Sequence, residues 1–502
     1  MTITRPSGTF TDVATWRAEV VRRYRSGERF AALFADAGAD GVSLTAILVS
    51  GSRLDLVGTS LEPGAVSYPA LTPAVPAAFW YEREICDLFG LRAEGHPRLD
   101  PLLLPLAGGT PRPRPGDGLQ PEMLDPIDER VPGHLEGAGL FTIPHGPVRS
   151  GVVESVEYLI ETPGENIPHL RVRPHAKHRG VEKRFESLDP ESGLLLAERV
   201  EGIASVAHAV AYANAIEAVV GINIPPLASL VRMIHAELER IANHLDVAVR
   251  LSDAAALAVA TARFSWHKER IMRLRSNLCG SRFGRGVIRL GGVHAPLGCS
   301  PDETRSALSA IERDIASDER ALMSTASFLD RLRATGPLAT DLARRHGALG
   351  PIGRASGVTE DVRVSRPYGA YSNIDVIAAS TKGRGDAQGR LEIRWLEIHE
   401  SFRLIREALT QVENDTHTGA GATDLANEVG PVVGAGVGWA EAPQGEVLYF
   451  VHVKEGRLRR VKTRSASFHN LLLFHAVFAG DIFTDFPFIE ASFGLSIAGV
   501  AS

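Results

Sequence analysis

The first hundred residues combine one helical pattern with shorter alternating patterns. Apolar positions recur at helical spacing in VATWRAEVVRRYRSGERFAALFADA and alternate with polar ones in GVSLTAILVSG and RLDLVGTSL. Helical spacing predicts an amphipathic helix, and alternation predicts a half-buried strand. Residues 1–106 are therefore predicted to form a small α+β module.

A second, larger unit begins near Phe141. The stretch GVVESVEYLIETPGENIPHLRVRP has the pattern of strands, and long segments of helical periodicity follow it. The first of these, GLLLAERVEGIASVAHAVAYANAIEAVV, is predicted to end at Gly221 and the Pro225–Pro226 pair, because proline lacks the amide donor that a helix needs. We expect residues 141–502 to be mostly a helical bundle with a small β-rich part at its start. The chain as a whole is then of the α+β class.

The segment between the two units differs in composition. LAGGTPRPRPGDGLQPEMLDPIDERVPGHLEGAG is rich in proline, glycine and charge. Such a segment cannot bury enough apolar area to fold alone. Residues 107–140 are therefore predicted to be an extended linker.

Composition and charge narrow the classes of function. The 502-residue chain has a net charge of −6, so it lacks a basic field that would neutralise many phosphates, and no nucleic-acid partner is expected. No apolar run reaches the roughly eighteen residues of a membrane span, and the N-terminus has no signal-peptide pattern, which predicts a cytoplasmic chain. Cys86, Cys279 and Cys299 are too few for a four-thiolate cluster. They are predicted to be ordinary buried thiols.

One charged string marks the first unit, FWYEREICDLFGLRAEGHPRLDPLLLP at Phe79–Pro105. From the residues alone, Glu82, Arg83 and Glu84 form a solvated helix face and His96 lies in a turn. The string resembles the signature of the 30-kilodalton subunit of respiratory complex I and its hydrogenase counterparts, in which E-R-E and D-L-F-G precede G-H-P. The resemblance implies a docking module without redox chemistry of its own.

Six ordered strings carry a second resemblance. They are PHGPVRSGVVE, KHRGVEKRFE, AERVEGIASVAHAVAYANAIE, GRASGVTEDVRVSRPYGAY, AEAPQGEV and DFPFIEASFGLSIAG. They resemble the 49-kilodalton quinone-site subunit of complex I and the large subunit of group 4 nickel-iron hydrogenases, the formate hydrogenlyase and hydrogenase-4 kind. The resemblance implies a nickel-iron hydrogenase large-subunit fold and an oxidoreductase related to NADH dehydrogenase.

The resemblance fails at the metal ligands. The hydrogenase site uses two C-x-x-C pairs, because thiolates are the soft ligands that hold nickel and iron. By the resemblance, the first pair falls on Glu201 and Ala204 and the second on Ser496 and Gly499. No metal is expected there. The family's E-A-P-R-G element, whose arginine overhangs the metals, has Gln444 in the arginine's place.

The quinone contacts of the complex I protein are changed as well. The resemblance places Arg149 where a headgroup histidine stands and Gly202 where a headgroup tyrosine stands. The resemblance then implies an altered cavity, with proton relay and acceptor contact as its candidate roles. Its predicted lining is His145, Arg149, Glu201, His208 and Gln444.

Glu201 is the most informative of these residues. It follows Arg199 on a predicted helix and replaces a metal ligand, and the complex I protein has an aspartate there. An enclosed carboxylate either pairs with a base or takes up a proton, which suits proton relay. The alternative is a solvated or salt-bridged helix residue. His178, Glu182 and Arg199 are second-tier candidates, although the KHRGVEKR run is also typical of a solvated loop.

Three more ionisable residues lie close together on a predicted helix: His235, Glu239 and His244. Their spacing matches neither H-E-x-x-H nor another close ligand arrangement. They are predicted to be structural rather than metal-binding.

The sequence leaves three functions open. The first is a redox subunit of a membrane-associated, complex I-like assembly, which passes electrons from an iron-sulfur cluster on a partner to quinone or another acceptor, coupled to ion translocation. The second is a non-catalytic scaffold or coupling subunit of the same assembly. The third, disfavoured by ligand chemistry, is a hydrogenase large subunit. The implied partners are a cluster-bearing small subunit and antiporter-like and other membrane subunits. The chain would then lie on the inner face of the cell membrane and bind no cofactor alone, with quinone as the candidate ligand.

Overall fold

The structure is a computed structural model. It describes residues 8–10, 12–38, 41–105, 137, 139–150, 154–381, 383–418 and 425–502. The predicted linker, 107–140, lies outside these residues except at positions 137, 139 and 140. Its extended form, and the domain boundaries it sets, stay predictions.

The N-terminal module is a four-stranded sheet that carries two helices. Its elements are β1 (Gly8–Phe10), α1 (Val13–Arg25), β2 (Arg29–Gly38), β3 (Gly41–Ser50), β4 (Arg53–Ser60), β5 (Ser67–Pro69), α2 (Phe79–Phe89) and β6 (Arg92–Glu94). The sheet order is β1–β4–β3–β2, with β1 parallel to β4 and the other pairs antiparallel; β5 and β6 form a separate parallel pair. Trp16 anchors α1 on the sheet, because its indole N–H donates to the Val57 carbonyl at 2.9 Å.

The first helix is shorter than the sequence predicts. It ends at Arg25, and the apolar run after it forms β2. At the break Gly27 has a φ of 98°, a conformation that favours glycine. Most of β2 is buried, because it packs on α2 and on the second domain. A strand buried on both faces loses its polar alternation, so its periodicity does not distinguish it from a buried helix.

The second domain begins with a three-stranded antiparallel sheet of β7 (Phe141–His145), β8 (Glu157–Thr162) and β9 (His169–Arg173). Its helices are α3 (Val181–Phe185), α4 (Pro190–Ala197), α5 (Ser205–Val220), α6 (Pro226–Ala254), α7 (Ala258–Cys279), α8 (Pro301–Met323), α9 (Ala326–Leu332), α10 (Thr340–His346), α11 (Gly350–Ala355), α12 (Val362–Ser365), α13 (Ala387–Thr418), α14 (Ala466–Leu471), α15 (Phe486–Phe493) and α16 (Ile497–Val500). The α+β class and the helical second domain with its β-rich start are confirmed.

A further antiparallel sheet lies in the second domain, where the sequence indicated none. Its strands are β12 (Gly434–Ala442), β13 (Gly445–Lys454) and β14 (Arg457–Arg464), which follow a two-stranded pair of β10 (Ile288–Arg289) and β11 (Gly292–Val293). α5 packs closely on this sheet: a Cβ on Gly438 would lie 2.2 Å from the Ala211 carbonyl oxygen. Glycine at this position therefore allows the helix to approach, and β13 is brought against the side chains of α5.

Paired charges occupy the centre of the second domain. Arg363 of α12 donates to Glu237 of the central helix α6 at 3.1 Å. Arg354 of α11 donates to Glu397 of α13 at 2.7 Å and to Glu441 of β12 at 3.0 Å. A buried charge is costly once its partner is removed, so such a network fixes how these elements fit together. The strings that contain Arg354, Arg363 and Glu441 thus have a structural role.

A buried ionic cluster joins the two domains. Lys462 of β14 donates to Glu84 of α2 at 2.6 Å and to Glu182 of α3 at 2.8 Å, and Arg460 donates to Glu182 at 2.8 Å. None of these four residues is more than 5% exposed. We call them the junction cluster.

The prediction of a solvated face on α2 is wrong. Glu82, Arg83 and Glu84 are between 0% and 5% exposed. Glu82 accepts two backbone amides, and Arg83 donates to two backbone carbonyls of the loop after β6. Glu84 contacts the second domain through Lys462, whereas the described hydrogen bonds of Glu82 and Arg83 hold loops of their own module in place.

Glu84 gives the junction a pH dependence. Burial raises its pKa to about 7, although Lys462 acts in the opposite direction. In the unfolded chain the same carboxyl has its ordinary pKa of 4.5. A group whose pKa is raised by folding contributes stability that is complete below the unfolded pKa and is lost as the pH rises through the folded one.

We therefore expect Glu84→Gln to gain stability relative to the wild type as the pH rises from about 5 to about 7.5, by up to about 3 kcal/mol. Urea titrations across this range measure the difference. Glu94→Gln, on the exposed strand β6, is the matched control and should follow the wild type. Parallel pH profiles for wild type and Glu84→Gln would refute the raised pKa.

Candidate functional site

A turn between α4 and α5 holds Glu201. The sequence predicted one continuous helix here, and this prediction is wrong: α4 ends at Ala197 and α5 begins at Ser205. The Ala204 amide donates to the Glu201 carbonyl at 3.1 Å and closes the turn. Ala204 has no side-chain oxygen to cap α5. The carboxylate of Glu239 on α6 accepts the first amides of α5 instead, at 2.9 and 3.0 Å.

The Glu201 carboxylate is enclosed and hydrogen-bonded on both oxygens. It is 1% exposed. Ser467 donates to one oxygen at 2.6 Å, and Nε2 of His208 lies 3.0 Å from the other. Nδ1 of His208 lies 2.8 Å from the hydroxyl of Tyr449 on β13. These four residues, Glu201, His208, Tyr449 and Ser467, form what we call the carboxylate–imidazole unit.

The protonation of this unit follows from its geometry. Burial, followed by the charge of Glu201, raises the pKa of Tyr449 well above its usual value, so its hydroxyl keeps its proton. That hydroxyl then donates to Nδ1 of His208, and Nε2–H donates to Glu201. A carboxylate bonded to an imidazole can pass a proton by one transfer along the hydrogen bond, the function expected of a relay.

The other positions that resemble metal ligands lie beside this unit. A Cβ on Gly499 would lie 2.7 Å from the carboxyl carbon of Glu201. The Ser496 amide donates to Ser467 at 3.1 Å, and the Ser496 hydroxyl to Glu154 at 2.7 Å. The fold thus brings both predicted ligand segments together.

The residues present do not fit a nickel-iron site. The four positions offer a carboxylate, a methyl, a hydroxyl and a glycine, whereas a nickel-iron site needs thiolates that hold nickel and bridge to iron. The Glu201 carboxylate also fills the space next to Gly499. Among the described residues no group of three or more His, Cys, Asp and Glu side chains is arranged to hold a metal.

His145 and Arg149 form a separate group. Arg149 makes a two-pronged ion pair with Glu490 of α15, with both N–O distances 2.8 Å. Tyr158 also donates to Glu490, and His145 packs edge-on against Phe486 with ring centroids 5.3 Å apart. Burial, then Arg149, lowers the pKa of His145. No hydrogen bond or ion pair within the described part of the chain joins these side chains to Glu201, so they form a hydrogen-bonded group of their own.

Gln444 lies at the tight turn between β12 and β13. It is 2% exposed, and neither its amide oxygen nor its amide nitrogen has a hydrogen-bond partner among the described residues. A buried amide without partners is costly and commonly marks a place where a water or ligand binds. Gln444 therefore stays a candidate for ligand contact.

The second-tier candidates have different environments. Glu182 belongs to the junction cluster, and His178 is half-buried, where burial lowers its pKa. The side chain of Arg199 is 51% exposed and donates to the Leu195 carbonyl of its own turn, so it does not reach the site.

Several residues that build the site were not predicted from the sequence. Arg179 donates to the Val200 carbonyl at 2.5 Å and to the Ala498 carbonyl at 3.0 Å, and so ties the two ligand segments together. Arg179 lies inside the KHRGVEKR string, which was the available signal. Tyr449 and Ser467 lie in no such string, and no local pattern marks them.

The residues predicted to be structural have structural contacts. Glu239 caps α5, and His244 hydrogen-bonds Glu397 at 2.9 Å. Cys86 is buried as predicted. Cys279 and Cys299 are only partly buried, so that prediction holds for one thiol of three.

The architecture is a small α+β module joined by charge pairs to a helical domain. The C-terminal segment of that domain folds back against the turn before α5. This is the two-part organisation expected from the family resemblance, and the comparisons with known proteins give the class, a complex I-type oxidoreductase subunit. Two family models match the chain. The respiratory-chain NADH dehydrogenase 49 kDa subunit matches residues 253–501, and the 30 kDa subunit of the same enzyme matches residues 17–111.

Three similar proteins are subunits of a membrane-bound hydrogenase, of formate hydrogenlyase and of NADH-quinone oxidoreductase. The membrane-bound hydrogenase subunit alpha of Pyrococcus furiosus is 30% identical over 365 residues, which cover 70% of this chain and 84% of the relative. Formate hydrogenlyase subunit 5 of Escherichia coli is 28% identical over 453 residues, covering 87% and 77%. The C/D subunit of NADH-quinone oxidoreductase from a Sulfurihydrogenibium species is 26% identical over 463 residues, covering 82% and 79%. The chain belongs to this family of complex I and membrane-bound hydrogenase subunits, in its fused 30 kDa and 49 kDa form.

Proposed function

We propose that this chain is a redox-coupling subunit of a membrane-associated, complex I-like assembly. Electrons arrive from an iron-sulfur cluster on a partner subunit and reduce quinone or a similar two-electron acceptor. The reduction is coupled to ion translocation by membrane partners. The observation that supports this proposal is the buried carboxylate–imidazole unit at the position of the family's thiolates.

Reduction of a quinone to a quinol consumes two electrons and two protons. A cluster on a partner subunit would supply the electrons, and the Glu201–His208 pair would supply a proton to each quinone oxygen in turn. The pair takes up a new proton from solvent after each transfer, so Glu201 and His208 end unchanged.

We also propose that the acceptor approaches from the side of the turn that holds Glu201. A cavity of about 80 Å³ borders Gly202 and Ile203, the residues directly after Glu201, and is lined as well by Glu239 and Arg275. This volume is too small for a whole quinone. A partner subunit docked on this face would complete the site. Gln444 does not line this cavity and stays a separate candidate for ligand contact.

The test is quinone reduction by the purified native assembly. Glu201→Gln is expected to lower turnover about 100-fold or more, because an amide cannot carry the proton. Glu201→Asp keeps the carboxylate and should recover most of this loss. Glu191→Gln, an exposed residue of α4, is the matched control. Arg149→Ala should change turnover only a few-fold, since Arg149 contacts Glu490 and not Glu201.

A second candidate is a non-catalytic scaffold or coupling subunit of the same assembly. Both oxygens of Glu201 are already hydrogen-bonded, and the side chain is 1% exposed, which favours a purely structural role. Unchanged turnover in Glu201→Gln, with an intact assembly, would support this candidate against the first.

The partners and location belong to the same proposal. We infer a cluster-bearing small subunit and antiporter-like membrane subunits as partners, and a place on the inner face of the cell membrane. No described helix is both long enough and apolar enough to cross a bilayer. Co-purification of the chain with membrane subunits after mild detergent extraction tests this placement.

A further inference from the structure

A cavity of about 490 Å³ lies where the two domains meet. Its walls come from α2 and the loop after β6 in the first domain, and from β9, α10 and residues 471–476 in the second. Small-molecule sites in proteins have volumes of about 300–1,000 Å³ and mostly apolar walls with a few polar groups. The cavity has the size of such a site, and it lies away from the carboxylate–imidazole unit, none of whose residues lines it.

Most of the wall is apolar. It includes the rings of Phe79 and Trp80 and the side chains of Leu342, Leu471 and Leu473. Trp80 is 5% exposed and is held edge-on against Phe468, with ring centroids 5.9 Å apart. A ligand that fills this space gains free energy from burial of hydrocarbon.

The polar part of the wall contains three arginines, Arg83, Arg98 and Arg171. Two of them are balanced by carboxylates: Arg98 pairs with Asp100 at 2.8 Å and Arg171 with Glu161 at 3.2 Å. Arg83 is 4% exposed, and its described hydrogen bonds go to the backbone carbonyls of Asp100 and Pro101 at 2.7 and 2.9 Å, which are neutral groups. A buried guanidinium held by carbonyls keeps its full positive charge and favours a nearby anion.

His346 on α10 is a further polar residue of the wall. Burial is the main cause that lowers its pKa to about 4, and the positive potential of the neighbouring His475 and Arg345 acts in the same direction. Its Nδ1 is buried and has no partner in the described part of the chain. An oxyanion in the cavity would both lower this potential and offer His346 an acceptor.

We propose that this cavity binds an amphipathic carboxylate of the fatty-acid class, with a medium-length alkyl chain along the leucine wall and its carboxylate toward Arg83. The bound acid contacts both domains at once. It therefore binds the docked form of the chain and stabilises the junction by mass action. This proposal needs no partner subunit and no redox activity, so it stands or fails separately from the proposed function.

The probe is sodium decanoate, and its binding to the full chain is measured by calorimetry near pH 7.5. Decanoate is expected to bind at least tenfold more tightly than 1-decanol, which has the same chain without the charge. Acetate, which has the charge without the chain, should give no binding in the same range. Equal affinity for decanoate and decanol would overturn the assignment of the carboxylate, and no decanoate binding would overturn the site.

Two variants test where the ligand binds. Ala476→Phe fills the cavity from the 471–476 segment and should weaken decanoate binding at least tenfold. Arg98→Gln removes one bordering cation and tests the same site if Ala476→Phe does not fold. Arg313→Gln, an exposed residue of α8, is the matched control for loss of one positive charge and should leave binding unchanged. Decanoate affinity that is the same in wild type, Arg98→Gln and Ala476→Phe would show nonspecific binding elsewhere and refute the proposal.

Discussion

Replacing Lys462 with methionine is expected to lower the free energy of unfolding by about 3–5 kcal/mol. The ammonium of Lys462 joins Glu84 and Glu182 in the interior of the domain junction. Methionine keeps much of the apolar stem and removes the charge. Glu182 keeps its contact with Arg460, but Glu84 loses its ionic partner. A buried charge without a partner costs more than the intact pair contributes, because it is no longer compensated and cannot reach water.

The urea midpoint at constant m-value measures this loss. Lys183→Met is the matched control: Lys183 is 72% exposed and pairs with Glu186 at the surface, so a change below about 0.5 kcal/mol is expected. The double variant Lys462→Met, Glu84→Gln should lose less than Lys462→Met alone, because it leaves no lone carboxylate. A wild-type midpoint for Lys462→Met, or strict additivity in the double variant, would contradict the junction cluster.

The sequence indicated the long helices because their patterns are local. The segments assigned to α6, α7 and α8 have apolar residues at helical spacing, and all three are helices. Periodicity stops being informative where burial removes the polar positions. β2 lost its alternation by packing on two sides, and the strands of the β12–β14 sheet are likewise buried along most of their length.

Charged residues were misjudged for a related physical reason. A solvated charge and a buried, paired charge look the same in a sequence, because the partner that decides between them lies far away. Glu84 pairs with a lysine 378 positions later, and Arg29 with a glutamate 417 positions later. Neither pairing can be recognised from the residues nearby in the sequence.

The candidate site shows the same limit. Glu201 and His208 are seven positions apart, lie in one family string, and do meet. Their other partners, Tyr449 and Ser467, are 241 and 266 positions from the residues they contact, and nothing local marks them. Arg149 was assigned to the same lining by resemblance, and its described ion pair is with Glu490, which no local pattern indicated. Motif positions therefore predicted contacts between residues that are close in sequence, such as Glu201 and His208. They did not predict contacts between residues that are far apart in sequence.

Glu446 is the second position at which a large loss is expected. Its carboxylate lies among Arg29 of β2, Arg366 and Arg464 of β14, and is 1% exposed. Burial alone would raise its pKa, but the three guanidinium groups lower it well below the usual range. One carboxylate thus compensates several buried cations from both domains.

Glu446→Gln is expected to destabilise the fold by at least about 3–5 kcal/mol, because an amide keeps the shape and leaves the buried guanidinium groups facing one another. The loss of stability in Glu446→Gln also depends on pH. A carboxylate whose pKa is lowered by folding stabilises the fold at pH values above its pKa in the unfolded chain, which is 4.5. This stabilisation is lost as the pH falls toward the pKa of the folded state. The difference between wild type and Glu446→Gln should therefore narrow below about pH 4.5 in urea titrations. Glu19→Gln removes a single surface pair with Arg22 and should cost less than about 1 kcal/mol. If both variants lose stability equally, or if the difference widens in acid, then Glu446 does not balance these arginines.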